Sequence, residues 1–237
     1  RYVRNVQATS SNLVISTRIR HRGGGVFFFC GDPAQCRDEG NNMESVKETK
    51  RLILRKFRPD DAADVFEYLA EPDVNCFRDM RVESVRRACE VIGKRISDEK
   101  EEYLAICLKE TGKVIGEVFS CAEEHAEDAF SPCWMLNPKF RGKGYAYEAV
   151  EAYFDHLFYD RAARRIYIYT EDYNVPCQKL CEKLGMRREG LFIELISFVN
   201  DPDGSPKYEN TYQYAVLKRE WEQRRAERHS NAARGTV

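Results

Sequence analysis

From about position 50 to position 221 the chain alternates between strand-like and helix-like spacing of apolar residues. Leu52, Ile53 and Leu54 within 51–57 predict a strand, ended by Arg58-Pro59-Asp60. Pro59 followed by Asp60 and Asp61 is a helix-start signal, because acidic groups favour the positive end of the helix dipole. Ala62, Val65, Phe66 and Leu69 then give one apolar helical face, and Val85, Ala88, Cys89, Ile92 and Ile96 give a second. Residues 103–108 and 113–121 read as strands joined through Glu110-Thr111-Gly112. Glu123, Glu124, Glu127 and Asp128 predict an acidic loop, followed by a short strand at 133–136.

Beyond Asn137-Pro138, the positions Ala146, Ala149, Val150, Tyr153, Phe154, Leu157 and Phe158 keep a helical core stripe. Residues 164–170 are rich in β-branched and aromatic side chains and predict a strand. Pro176 opens a short helix with Cys177, Leu180, Cys181 and Leu184 on its apolar face, and Gly185 closes it. Strands at 190–199 and 209–217 flank the turn Asp201-Pro202-Asp203-Gly204. The predicted order is strand, two helices, three strands, helix, strand, helix, two strands: a single α/β domain built on a mixed sheet.

Composition changes near Met43. Residues 1–42 hold no lysine and no acid before Asp32, and Gly23-Gly24-Gly25 breaks any period. They read as a disordered or non-native leader, with an organellar transit peptide as the alternative. The patterned domain is placed at 43–222, and 223–237 as a polar, Arg-rich tail, a frayed helix or disorder. The chain has 43% apolar and 32% charged residues and a formal net charge of −1, which predicts neither a nucleic-acid partner nor a membrane one. Nine cysteines include no C-x-x-C pair and no zinc-type spacing with histidine, so they read as free thiols of a cytoplasmic protein without a metal.

The chemistry concentrates at Arg141-Gly142-Lys143-Gly144-Tyr145-Ala146. Two glycines let backbone approach a ligand, and a helix beginning there offers N–H groups and a favourable dipole to an anion. Arg141 and Lys143 add positive charge, which suits a pyrophosphate. The spacing fits neither G-x-x-x-x-G-K-[ST] nor G-x-G-x-x-G.

The run from Trp134, Met135 and Leu136 through Asn137-Pro138-Lys139-Phe140 to Ala146 resembles the R/Q-x-x-G-x-G/A acetyl-CoA motif of the GNAT superfamily of N-acetyltransferases. Asn174-Val175-Pro176-Cys177 through Leu184-Gly185-Met186, then Glu189-Gly190, resembles the signature of its RimJ/RimL-like branch. The resemblance implies acetyl-CoA as co-substrate and direct acetyl transfer, in a ternary complex, to a primary amine: a protein N-terminal α-amine or a small-molecule amine. It implies pantetheine contacts along Trp134, Met135 and Leu136, and pyrophosphate contacts from Arg141 and the N–H groups of Gly142, Lys143, Gly144, Tyr145 and Ala146. Asn174 would bind the pantetheine or order the site, and it also reads as a simple helix cap. A monomer or homodimer is expected.

The pattern departs from the family at the acid that reprotonates the CoA thiolate. Cys181 stands where many members have Tyr, and Cys177 where this branch often has Ser. Cys177 and Tyr173 are the candidate donors, with simple packing as the alternative for the thiol. Glu117, in an apolar strand, is the candidate base, or else a solvent-facing strand residue, and Glu194 is a weaker base candidate. His156 and Asp160 mimic the H-x-x-x-D of an unrelated acetyltransferase fold and read as structural. The acidic stretch at 123–128 reads as a solvated loop or as steering for a cationic amine. Loss of the usual acid leaves a second reading, a non-catalytic acyl-CoA-binding sensor.

Overall fold

The computed structural model describes residues 45–234 except 100, 121, 124 and 125. The leader at 1–42 and His125 lie outside the described residues. The first sheet is antiparallel: β1 (Ser45–Glu48), β2 (Leu52–Lys56), β3 (Glu102–Leu108), β4 (Val114–Ser120) and β7 (Cys133–Leu136), in that spatial order. The second has the order β5 (Ala122–Glu123), β6 (Ala126–Phe130), β8 (Arg165–Glu171), β10 (Pro206–Leu217), β9 (Arg187–Asn200). Its β6–β8 pair is parallel.

Helices α1 (Ala62–Leu69) and α2 (Val85–Ser97) cover one face of the first sheet, packing Val65, Leu69, Ala88 and Ile92 against Ala105, Cys107, Val114 and Met135. A buried ion pair anchors the entry to α1: Arg55 Nη1 and Nη2 meet Asp61 at 2.8 and 2.7 Å, and Asp61 also accepts the Arg58 N–H. On the other face lie α3 (Tyr145–Asp155), extended by a π-helical turn at His156–Asp160, and α5 (Lys218–Arg234). Tyr153, Phe154, Phe158 and Trp221 are fully buried there against Leu52, Leu54, Ile106, Ile166 and Tyr214. Burial of such side chains is worth roughly 1.5–3 kcal/mol each, so this cluster is the main apolar anchor of the two sheets.

Three expectations change. The acidic stretch is not a loop where it is described, because Ala126–Phe130 forms β6, and Asp128 pairs with Arg164. Parallel pairing to β8 supplies the tertiary partner that overrides the polar composition. The second helix forms as expected, but Val85 and Ile96 are exposed, so its buried stripe is narrower, centred on Ala88 and Ile92. The Arg-rich tail is an ordered helix through residue 234, clamped to α3 by Arg225–Asp155 and Arg228–Glu151 ion pairs.

The junction at Ser131-Pro132 positions the site. β6 runs beside β8 through Ala129↔Arg165 and Phe130↔Ile166; β7 then pairs with β4 in the other sheet. Pro132 lacks the N–H needed to prolong a ladder. Past Ile166, β7 and β8 therefore diverge and leave a gap between the sheets. On the far side of β7 the fit is tight: a Cβ on Gly116 would lie 2.2 Å from the Met135 carbonyl oxygen. Glycine at 116 lets β4 and β7 close up.

Candidate active site

The gap opens into a cleft of about 1530 Å³. One end is the glycine loop. Gly142 and Gly144 have φ of +75° and +81°, in the left-handed region where a Cβ is strained. Gly144 is the N-cap of α3, so the helix starts at Tyr145 as the loop chemistry predicts. Glu148 N–H donates to the Gly144 carbonyl at 3.1 Å, and the preceding N–H groups of the first turn have no helical acceptor. Such an end can hold an anion.

Several expected residues meet along the cleft: Trp134, Met135 and Leu136 on β7, then Arg141, Gly142, Gly144, Tyr145 and Ala146. The Lys143 side chain does not line it: its ammonium lies over the Phe140 ring at 5.4 Å. Arg141 is already paired: Nη2 lies 2.9 Å from Asp73 Oδ1, and Nη1 contacts Oδ2. Their hydrogen bonding raises Arg141 and lowers Asp73. Sequence reasoning missed Arg51. Its guanidinium stacks over Tyr145 at 4.4 Å, donates to the Lys143 carbonyl at 3.0 Å and binds Glu148 at 2.7 Å. Arg51 thus ties the turn after β1 to the loop, a contact across 92 residues that no local spacing reveals.

Across the gap, α4 (Val175–Lys183) presents its N-terminus. Asn174 is its N-cap, accepting the Cys177 N–H at 3.3 Å, and lines the cleft as well. The capping reading is realised, and it leaves the Asn174 amide nitrogen beside the cleft. Cys177 lines the cleft from the first turn of α4. Its thiol is lowered, chiefly by the Cys181 thiol against it, with burial opposing and Thr170 assisting. Cys181 is buried behind it, outside the cleft, and is raised. Tyr173 lines the cleft too, donates to Glu209 at 3.3 Å, and is raised by burial and by Glu171 and Glu209.

Glu117 occupies neither place considered for it. It is fully buried on the α1–α2 side of the first sheet and does not line the cleft. Arg95 Nη2 donates to it at 2.8 Å, with Nη1 against the other oxygen, and Tyr68 OH donates at 3.1 Å. Burial raises its carboxyl, and Arg95 and Tyr68 offset that. Tyr68, not Glu117, reaches the cleft wall. Strand alternation alone could not distinguish solvent from a second buried layer supplied by helices distant in sequence. Glu194 is exposed and lies off the cleft, as do Glu127 and Asp128. His156 is buried away from it, bridging Glu102 at 2.7 Å and Asp160 at 2.8 Å, a structural role.

Beside Asn174, on the β8–β10 wall of the cleft, lies a group the motifs did not indicate. Glu171, the last residue of β8, and Glu209 on β10 are each 5% exposed. Glu209 accepts from Asn75 Nδ2 at 2.6 Å as well as from Tyr173. Burial raises Glu171, with the Cys76 thiol and Asn174 amide opposing and Glu209 adding to the rise. Thr211, directly opposite Glu171 in the β8–β10 register, also faces the cleft. A carboxyl closing an apolar strand was the sole local signal, and it was too weak to use. No cluster able to hold a metal occurs among the described residues.

The description "Acetyltransferase (GNAT) domain" matches residues 51–187. The uncharacterized N-acetyltransferase YnaD of Bacillus subtilis (strain 168) is 31% identical over 173 residues, covering 73% of this chain and 97% of that protein. A GNAT-family acetyltransferase from Bacillus anthracis superposes with a TM-score of 0.64 at 27% identity, over 73% of this chain and 98% of that one. The microcin C7 self-immunity acetyltransferase MccE, solved with acetyl-CoA and AMP, shares the fold, with a TM-score of 0.58 at 18% identity over 71% of this chain and 93% of that one. The domain match spans more than half the chain and takes in the parted strands, the glycine loop and α4, and on that footing this protein belongs to the GNAT family of acetyltransferases.

Proposed function

We propose that this protein transfers the acetyl group of acetyl-CoA directly to a primary amine, with both substrates held together in the one cleft. The observation that carries this reading is the continuity of that cleft, from the orphan N–H groups of the glycine loop, past the free edge of β7, to the acid-lined end. The N–H groups from Gly142 to Ala146 are suited to the pyrophosphate, and Arg141 joins them by exchanging Asp73 for phosphate oxygens. Backbone groups of Trp134, Met135 and Leu136 that point away from β4 are free to pair with the pantetheine amides, beside Asn174 on the other wall. Backbone donors beside the thioester would stabilise the developing oxyanion, and alignment of two bound reactants supplies much of the rate.

Cys177 is the proposed donor to the departing thiolate, since its lowered thiol lines the cleft at a helix N-terminus. Tyr173 is the second donor within reach of the same wall. The Asn174–Gly185 signature supports the RimJ/RimL-like branch, and the catalytic unit is assigned to residues 43–222, with 1–42 and 223–237 as flanking segments. Six free cysteines among the described residues fit a reducing cytoplasm, and no helix among them is long and apolar enough to cross a membrane. The test is release of CoA thiol from acetyl-CoA across a panel of primary amines. Amine-dependent release is expected; binding of acetyl-CoA with no release for any amine would instead favour the sensor reading.

A further inference from the structure

We infer that Glu171, Glu209 and Thr211 form an ammonium subsite, which makes the acceptor a cationic amine with no carboxylate beside its reacting nitrogen. The inference rests on the acetyl-transfer reading and gives that site its substrate class and its base.

Charge comes first. Glu171 and Glu209 are both buried, yet among the described residues neither makes an ion pair with a Lys, Arg or His side chain. Their partners are neutral: Asn75 and Tyr173 for Glu209, Cys76 and Asn174 for Glu171. Buried carboxylates are ordinarily paired with a cation, because neutral donors repay only part of the lost hydration. Other buried carboxylates of this fold obey that rule: Asp61 has Arg55 and Glu117 has Arg95. The cation missing from the Glu171–Glu209 pair is supplied by the substrate.

An independent feature points to the same place. Thr211 is 2% exposed, its hydroxyl has no hydrogen-bond partner, and it lines the cleft. Directly opposed residues of an antiparallel pair project to the same face, so the hydroxyl stands beside the Glu171 carboxyl. A buried hydroxyl without a partner is costly, and an ammonium N–H would satisfy it. Exclusion of an acceptor carboxylate from the subsite follows from the remaining charges. Arg164 and Arg165 line the cleft, but they are committed to Asp128 and Glu189, and Arg141 serves the phosphates at the glycine loop, whereas the Glu71 carboxylate lines the cleft with no ion pair among the described residues.

The chemistry balances. The ammonium transfers one proton to the Glu171 carboxylate, and the freed lone pair forms a bond to the thioester carbonyl carbon. The carbon–sulfur bond breaks, its electron pair leaves with the CoA sulfur, and that sulfur ends with the second proton of the amine nitrogen, relayed through the Cys177 thiol. Glu171 returns its proton to solvent. Glu209 is a positioning residue that keeps the subsite negative from behind.

Butylamine and norvaline make a matched pair of probes, since norvaline is butylamine with a carboxylate added on the carbon that bears its one amine. Calorimetric titration of each is done with and without saturating CoA, and CoA is titrated separately. Butylamine should bind at least about 10-fold more tightly than norvaline. Glu171→Gln and Glu209→Gln should each weaken butylamine about 10-fold while leaving CoA affinity unchanged, and Thr211→Val should cost a few-fold. Glu171→Gln should keep or raise the Tm, because it removes a buried charge, so its loss of affinity is not a loss of fold. In turnover, wild-type kcat/KM should rise with pH through the raised Glu171 value. Glu171→Gln should abolish that limb, and Glu171→Asp should partly restore it. Equal binding of the two probes, binding of neither, or an unchanged affinity and pH profile in Glu171→Gln overturns the subsite. Failure of CoA itself to bind removes the acetyl-transfer reading instead, and the titration without CoA still reports on the subsite.

Discussion

The two ends of the cleft are assembled in opposite ways. The glycine loop is contiguous: Gly142, Gly144 and the first turn of α3 lie within a few residues, and their function is carried by backbone N–H groups and by φ angles that glycine tolerates. The acid-lined end is composite. Glu171 comes from β8, Thr211 and Glu209 from β10, and Asn75 and Cys76 from the turn at Asn75–Met80. Backbone chemistry tolerates changes of side chain so long as the turn survives. A side-chain constellation depends on several elements docking in the right relative positions. The first end should therefore fail at single glycine positions, and the second through loss of its buried polar layer.

The largest effect is expected for Arg95→Met, in the buried layer behind Tyr68, which lines the cleft from α1. It leaves Glu117 buried without its cation, and a loss of about 3–5 kcal/mol of stability is expected in urea unfolding. Little loss would mean that the network behind Tyr68 carries no weight in holding the acceptor wall. Next in size is Gly144→Asp, which places a carboxylate and a strained backbone at the positive end of α3. Acetyl-CoA affinity should drop by roughly 100-fold, about 3 kcal/mol, with circular dichroism unchanged. Retained affinity by calorimetry would break the assignment of the loop.

Gly116→Ala addresses the gap between the two ends. The added methyl meets the Met135 carbonyl, so β7 must shift, at a cost of about 1–3 kcal/mol by thermal unfolding. Acetyl-CoA affinity should fall with it, since the free edge of β7 moves; an unaltered affinity would detach β7 from the cofactor path. The smallest effect lies outside the cleft. Burial pulls the His156 imidazole down, but its bonds to Glu102 and Asp160 outweigh that and leave it raised. Its stabilising contribution is then complete below about pH 6.5 and is lost as pH rises through the raised folded value. Urea melts from pH 6 to 9 should show that decline, and His156→Gln should flatten it.

Most of the element order, the helix start within the glycine loop and the cap at Asn174 were legible because each depends on neighbours in sequence: periodicity, glycine torsions and N-cap chemistry act over a few residues, whereas the short strands β1, β5 and β6 were not. The same locality explains the misreadings. Asp128 looked like part of a solvated loop until β8 gave its strand a partner, and Glu117 could be assigned to a strand but not to the layer it faces. Arg141 and Lys143 contributed formal charge to the motif, yet Asp73 and Phe140 decide what those charges touch.

By itself, then, the amino-acid sequence determined a single α/β domain and an anion-holding loop at a helix start, since both are written in short-range spacing. The parting of β7 from β8, the burial of Glu171 beside Glu209 and the orphan hydroxyl of Thr211 were decided by tertiary structure alone. Those features depend on which strands become neighbours and on how far water is excluded between them. Burial, pairing and charge compensation are properties of the packed sheets, and no run of adjacent residues encodes them.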